Sequence, residues 1–401
     1  MTDEPALRIP PPPFLADPAL HAVLAALPEA RVVGGAVRDA LAGREVADVD
    51  LATPRPPADV VAALHAAGLK AAPTGLDHGT VTAISDHRGF EVTTLRRDVA
   101  TDGHRAVVAF TDDFAEDAAR RDFTLNAMSM TPDGAVFDYF SGLADLRAGR
   151  VRFVGDAATR VAEDFLRILR FFRFHARYGT GAPDAAAVAA IRAGVPGLAK
   201  LSAERVWSEL KRIFATPDPR PAVALMAETG VLAAVLPEGA DFSRLAALVA
   251  AGAPPDPMLR LAALFCGDPA VLAQRLRLSI AEASYLSALR AAPPPPPASD
   301  DADLRRALAD MARDVLIGRA WLAGGAAGLL SRLQALPVPV FALHGRDLKA
   351  AGVPAGPALG ALLRELRDWW MAGGCAAGAD DLRAELRRRL AANAAGHGAP
   401  H

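Results

Sequence analysis

Two aspartates separated by a single residue, Asp48 and Asp50, are the first side chains in this 401-residue sequence whose spacing suggests chemistry. On an extended strand both point to one face, with Cα atoms about 6 to 7 Å apart. Carboxylates so placed repel one another, and a hard divalent cation relieves them; magnesium, which favours oxygen ligands and phosphate, is the natural candidate. Alone, such a pair equally fits a solvated strand edge. Thirteen residues before Asp48 stands Gly35, second of a glycine pair, where the missing side chain lets backbone N–H groups approach a phosphate at a helix start. Arg38, three residues on, faces the same end and can neutralise a triphosphate. Taken singly, Gly34 and Gly35 fit a tight turn, and Arg38 fits a pair with Asp39. Glu91 is either a third carboxylate of the same sheet or an exposed strand acid. Three acids suit two metal ions, one activating an attacking hydroxyl and the other holding a triphosphate and its pyrophosphate leaving group.

These residues need a sheet to hold them. Arg31 to Val33 is a short apolar run ending in the glycine pair, Ala36 to Leu41 begins a helix, and Val49 to Ala52 is a second short strand, with the aspartates at or beside it. Pro57 to Leu69 has helical periodicity. His78 to Ser85 and Phe90 to Leu95, rich in Thr and Val, form a hairpin about the turn Asp86 to Gly89. Arg97 to Ala115 reads as a polar, irregular loop. From about residue 156 onward the strand signal vanishes and the chain is helical to its end, interrupted by the proline run Pro293 to Pro297, which cannot continue a helix and joins two helical parts.

The glycine-to-aspartate segment resembles that of the polymerase-β-like nucleotidyltransferases. With the motifs downstream, the chain resembles the class II tRNA nucleotidyltransferase (CCA-adding enzyme) and bacterial poly(A) polymerase family. Arg120 to Ala127, RRDFTLNA, resembles the family's ribose and phosphate motif, implying that Arg121 contacts nucleotide and Asp122 ribose. DYFSGLADL from Asp138 resembles its head-to-neck hinge, EDFLRILRFFRF from Glu163 its base-reading motif, and LSAERVWSE from Leu201 a neck helix. Arg97 to Ala115 stands where the family has a flexible loop needed for the switch from C to A addition. Thr74 to Thr82, TGLDHGTVT, resembles the CCA-adding branch, and Gly345 to Trp370 resembles a tail segment forming a loop between helices near the RNA acceptor end.

The resemblance implies an α+β chain. Its head at residues 1–155 would be a mixed sheet with helices, followed by an all-α neck (156–220), body (221–292) and tRNA-binding tail (298–401). It implies template-independent addition of C and A to the tRNA 3′ end from CTP and ATP, with Mg2+ on Asp48 and Asp50.

The base-reading motif makes chemical sense by itself. If Glu163 onward is one helix, Asp164, Arg167, Arg170 and Arg173 recur every three residues as a polar stripe, while Phe165, Ile168, Leu169 and Phe172 face a core. A carboxylate accepts from the exocyclic amine that cytosine and adenine share, and an arginine donates to their ring acceptors. Uracil and guanine present a carbonyl instead, at about 1 to 3 kcal/mol per mismatch. An Asp164 and Arg167 pair thus favours CTP and ATP, with Arg170 and Arg173 toward the triphosphate.

Composition bounds the alternatives. Apolar residues make up 52% and charged ones 22%, and no stretch approaches the roughly 18 apolar residues of a membrane helix. The start MTDEPALRIPPPPF lacks a basic-then-apolar leader, so a cytoplasmic, membrane-free location is expected, with Cys266 and Cys375 as buried reduced thiols. Net charge is −2, so RNA contacts must come from local patches: Arg205, Lys211 and Arg212; Arg305 and Arg306; Arg383 and Arg387 to Arg389. No protein partner is implied. The rival readings are a poly(A) polymerase, a partial CC- or A-adding enzyme, a non-catalytic RNA-binding protein, and a small-molecule nucleotidyltransferase.

Overall fold

The computed structural model describes residues 4–75, 79–101 and 106–396. The chain forms two compact units, Met1–Pro237 and Glu238–His401.

The described residues of the first unit contain ten strands: β1 (Leu7–Arg8), β2 (Arg31–Val33), β3 (Asp50–Thr53), β4 (Lys70–Gly75), β5 (Thr80–Ser85), β6 (Arg88–Thr94), β7 (Arg96–Thr101), β8 (Ala106–Phe110), β9 (Met128–Met130) and β10 (Ala135–Asp138). Eight make one mixed sheet in the order β1-β10-β9-β2-β3-β6-β5-β4. Helices α1 (Pro18–Ala26), α2 (Gly35–Leu41) and α3 (Pro57–Ala66) build the core against it, through Val23, Val37 and Leu64 packed with Val32, Leu51, Val81 and Val92. Strand alternation does the sorting: in β6, Phe90, Val92 and Thr94 are buried while Glu91 faces out. Among the described residues only β3 and β6 pair in parallel, because α3, β4 and β5 intervene between them, and this pairing sets Asp50 directly beside Glu91. The β5–β6 hairpin turns on Asp86 and His87, both left-handed at φ 48° and 60°, as a two-residue hairpin connection of this kind requires.

Three expectations need correction. The strand carrying the aspartates starts at Asp50, and Asp48 lies in an exposed, unpaired segment before it. The cause is β2, whose last residue Val33 pairs with Asp50 and whose successor Gly34 leaves the strand at φ 68°, so the β2 ladder has no partner for Asp48. Secondly, Arg97 to Ala115 is not irregular throughout: β7 and β8 pair antiparallel, and α4 (Phe114–Ala119) follows; residues 102–105 of this stretch, like 76–78 of Thr74 to Thr82, lie outside those described. Thirdly, Glu163 onward is not one helix. α5 (Gly142–Arg147) and α6 (Ala157–Glu163) precede a break at Asp164 and Phe165, and α7 runs over Leu166–Tyr178.

The rest of the first unit is helical: α8 (Ala185–Gly194), α9 (Ala203–Phe214), α10 (Arg220–Glu228) and α11 (Val231–Val235). An aromatic cluster ties α7 to the RRDFTLNA segment. Phe123 lies 4.8 Å from Phe153 and 5.2 Å from Phe174 between ring centroids. Burying such rings, at roughly 3 to 5 kcal/mol each on truncation, fixes the residue next to Asp122 against the helix that carries Arg170.

The second unit holds α12 (Phe242–Ala250), α13 (Pro257–Leu264), α14 (Pro269–Arg275), α15 (Ile280–Ala291), α16 (Asp301–Asp310), α17 (Arg313–Leu322), α18 (Ala327–Ala335), α19 (Gly345–Ala350), α20 (Pro357–Ala372) and α21 (Ala379–Gly396). Pro293 to Pro297 is non-helical, between α15 and α16, and a loop separates α19 from α20 as expected. Leu304, Leu316 and Leu333 centre one core, Leu348, Leu366 and Trp370 another. Cys375 is buried as expected, whereas Cys266 is exposed, standing just beyond the buried end of α13.

Candidate active site

Every site residue expected from the sequence except Asp48 lines one cleft of about 570 Å³ in the first unit. Gly34, rather than Gly35, meets the conformational demand at its floor. Its φ of 68° lies in the left-handed region, and an added Cβ would stand 3.1 Å from Arg121 Nη1. Gly35 opens α2, where a Cβ would make only ordinary contact, 3.6 Å from Arg38 Nη2.

The acidic wall is Asp50 and Glu91, register neighbours across β3 and β6. Burial pushes the Asp50 carboxyl up, the charges of Glu91 and Asp48 add to the rise, and Arg121 offsets part of it. Asp48 therefore stands within electrostatic reach although it is off the cleft wall. Among the described residues no three His, Cys, Asp or Glu side chains gather as a complete metal cage. The acids present fit an ion that takes one or two carboxylates and draws its remaining oxygens from substrate phosphates.

The basic wall is held by residues to which the sequence reading gave no role. Asp117, buried on α4, takes Arg120 Nε on one oxygen at 2.9 Å and Arg121 Nη2 on the other at 3.0 Å. Burial raises the Asp117 carboxyl, but both arginines hold it below its ordinary value. Asn126 is the other. Its Oδ1 accepts from Arg38 Nη1 at 2.5 Å and its Nδ2 donates to Asp122 Oδ1 at 2.9 Å. Asp122 Oδ2 in turn accepts from Arg170 Nε at 2.7 Å. A chain Arg38–Asn126–Asp122–Arg170 thus crosses the cleft floor. Arg38 is also clamped by Asp39, at 3.1 Å from both Nε and Nη2, and its guanidinium lies 4.7 Å from the Tyr178 ring centroid. Arg38 therefore does pair with Asp39, and it braces Asn126 rather than projecting freely. The signal for Asn126 was present: an amide four residues after Asp122 in one motif.

At the far end, the helix break leaves Asp164 and Arg167 side by side on the cleft wall, joined by the Arg167 N–H donating to the Asp164 carbonyl at 3.0 Å while their side chains turn to other partners. Asp164 Oδ1 accepts from the Leu166 N–H at 3.0 Å, starting α7, and Oδ2 accepts from Arg205 Nη2 of α9 at 2.8 Å. Arg167 is held by Glu163 and by the Arg160 carbonyl, at 2.9 Å. Arg173 pairs with buried Glu209 at 2.9 Å; burial pushes its guanidinium down to about 10 although Glu209 opposes the fall. Arg205, read from sequence as an RNA-contact candidate, fixes Asp164.

A mixed sheet carrying paired acids opposite converging arginines, continued into a helical neck, is the architecture of a polymerase-β-like nucleotidyltransferase. Residues 30–152 match the family model described as the Poly A polymerase head domain, and residues 183–242 match that described as a probable RNA and SrmB-binding site of polymerase A. The chain is 37% identical to the CCA tRNA nucleotidyltransferase 1, mitochondrial, of Mus musculus, over 90% of this chain and 87% of that protein. It is 33% identical to the CCA-adding enzyme of Levilactobacillus brevis, over 88% and 92% of the two chains. The crystal structure of the Bacillus stearothermophilus CCA-adding enzyme in complex with CTP superposes with a TM-score of 0.72 at 27% identity, covering 95% of this chain and all 100% of that one. The chain belongs to the class II CCA-adding tRNA nucleotidyltransferase family.

Proposed function

We propose that this cleft adds C and A, without a nucleic-acid template, to the 3′ end of tRNA from CTP and ATP. The observation that carries the reading is the meeting in one cleft of Asp50 and Glu91, for the reacting end of a nucleotide, with Asp164 and Arg167, for its base. Both base-facing groups are held by third parties, Arg205 and Glu163, so neither has to break a mutual pair before meeting a base. Asp164 accepts from the amine of cytosine or adenine, Arg167 donates to the ring acceptor, and uracil or guanine sets acceptor against acceptor. Asp122 and Arg121 bind the ribose and phosphates. Arg170 and Arg173 extend the positive wall along the triphosphate, while Arg38, with Gly34 and Gly35 beside it, shapes the cleft floor.

Nucleotidyl transfer in this family is metal-dependent, and we assign the metal as Mg2+, held by Asp48 and Asp50 with Glu91 beside them. When bound it supplies charge neutralisation at the reacting phosphate and acidifies the attacking hydroxyl. The protein's own contribution is to orient the α-phosphorus toward the RNA 3′-hydroxyl and to stabilise growing negative charge with Arg121 and Arg170. The assignment of head, neck, body and tail to 1–155, 156–220, 221–292 and 298–401 belongs to the same proposal, as does a cytoplasmic location; among the described residues no helix is long and apolar enough to cross a membrane.

Asp50→Ala tests the reading. Single-turnover addition of C to a tRNA lacking CCA is expected to fall at least about a hundredfold, with tRNA affinity within twofold of the parent. Undiminished addition would overturn the metal assignment.

A further inference from the structure

A second concave site lies wholly within the second unit. It is a pocket of about 330 Å³ whose apolar walls are Leu289, Pro293 and Leu322, and whose polar groups are three arginines: Arg244 on α12, Arg290 on α15 and Arg319 on α17. Among the described residues that line it, none is acidic. Two of the guanidiniums are anchored by the fold. Arg290 Nη1 donates to the carbonyls of Ala262 and Phe265 at 3.0 and 2.6 Å, and Arg319 Nε donates to that of Ala288 at 2.8 Å. Arg319 is 5% exposed. Each of these anchors uses one nitrogen of a three-nitrogen, five-donor fork. Burial pushes both guanidiniums below their ordinary value, and the charge of Arg244 pushes Arg290 further. The fold thus keeps three like charges close together in a partly desolvated hollow, which an oxyanion with several acceptors relieves.

Several of the other basic residues are already neutralised. Arg306 Nη1 binds Asp303 at 2.6 Å and Arg205 Nη2 binds Asp164 at 2.8 Å, whereas Arg305 Nε, like Arg319 Nε, holds a backbone carbonyl, that of Gly374 at 2.8 Å. Arg388 and Arg389 both bind Glu385, at 2.7 and 2.8 Å, and Arg383 binds Asp380 at 2.8 Å. In a chain of net charge −2, affinity for a polyanion has to come from guanidiniums not already neutralised by carboxylates.

We infer that the Arg244–Arg290–Arg319 pocket is a phosphate site, and that the phosphate it takes is a backbone phosphodiester of the bound tRNA. The pocket has no aromatic wall on which a base could stack, which disfavours a free nucleotide as its occupant. The inference rests on tRNA being the substrate.

Arg244 is the rim residue and the one to change, since Arg290 and Arg319 also hold backbone carbonyls. Arg244→Gln and Arg244→Lys are compared with the parent by fluorescence anisotropy on tRNA lacking CCA, across about 50 to 200 mM salt, with circular dichroism melts confirming equal folding. Arg244→Gln is expected to weaken binding about fivefold and to reduce the slope of log affinity against log salt by about 1; Arg244→Lys, which keeps the charge, restores most of both. Affinity within twofold with an unchanged slope would overturn the inference. So would inorganic phosphate raising the melting temperature of the parent but not of Arg244→Gln while tRNA binding is equal in the two, which would make free phosphate the occupant. Failure of the parent itself to extend the tRNA would instead overturn the functional reading, and is seen before any variant is compared.

Discussion

Asp122 is the residue on which most of the cleft floor converges, and its energetics make it testable alone. Burial raises its carboxyl, but Arg170, the Asn126 amide and the Phe123 N–H together hold it below the ordinary carboxylate value. A group whose pKa is depressed in the folded state contributes stability that is complete above the unfolded value, about 3.9, and is lost as pH falls through the lower folded value. Asp122→Asn keeps the shape while removing the charge that faces Arg170. At pH 7 the variant is expected to be about 2 to 3 kcal/mol less stable in urea unfolding, with the difference shrinking below about pH 4. A gap that does not change with pH would mean that the carboxylate charge contributes nothing. The resemblance of RRDFTLNA to the family's motif brought Asp122 into view, but not its partners, because Arg170 lies 48 residues away and meets it only through tertiary packing.

In the proposed function, the element that decides base selection is the break between α6 and α7. EDFLRILRFF carries an unbroken helical period, and the one local sign of a stop is Asp164 itself, whose side chain accepts from the Leu166 N–H. The break is also held from a distance: the Phe165 ring packs on Gly197, where an added Cβ would lie 2.2 Å from the ring. Gly197→Ala is expected to destabilise the protein by about 1 to 3 kcal/mol and, by shifting Asp164, to raise misincorporation of U and G more than it slows correct addition. Equal fidelity in single-nucleotide incorporation would contradict this. Legibility followed the range of the forces involved. The β2 to α2 turn and the β5–β6 hairpin were readable because glycines and short-range alternation specify them. The start of β3 was misplaced by one residue, since it depends on where β2 ends. The β7–β8 hairpin was missed because β7, RRDVAT, is largely polar and β8, AVVAF, is a continuous apolar run, so neither shows the period-two alternation that marks a strand.

At the scale of the whole molecule, near-neutrality conceals a division of labour among arginines. Most are paired with carboxylates or carbonyls, as Glu385 shows: hydrogen bonds from Arg388 and Arg389 hold its carboxyl at about 2 although burial opposes them. In the proposed reading, the cleft arginines meet triphosphate while still paired, Arg121 with Asp117 and Arg170 with Asp122, and those near α15 meet RNA. Composition could bound the membrane and net-charge questions but could not distinguish spent arginines from available ones, because that depends on neighbours dozens of residues away. The central claim is that one cleft selects C and A and stops. It is tested by extending a tRNA that ends at the position before CCA with CTP alone, ATP alone or both, and reading product length at single-nucleotide resolution. Addition of CC from CTP alone and of CCA, without further growth, from both is the predicted result; runs of A from ATP alone, or no incorporation of C, would contradict the account.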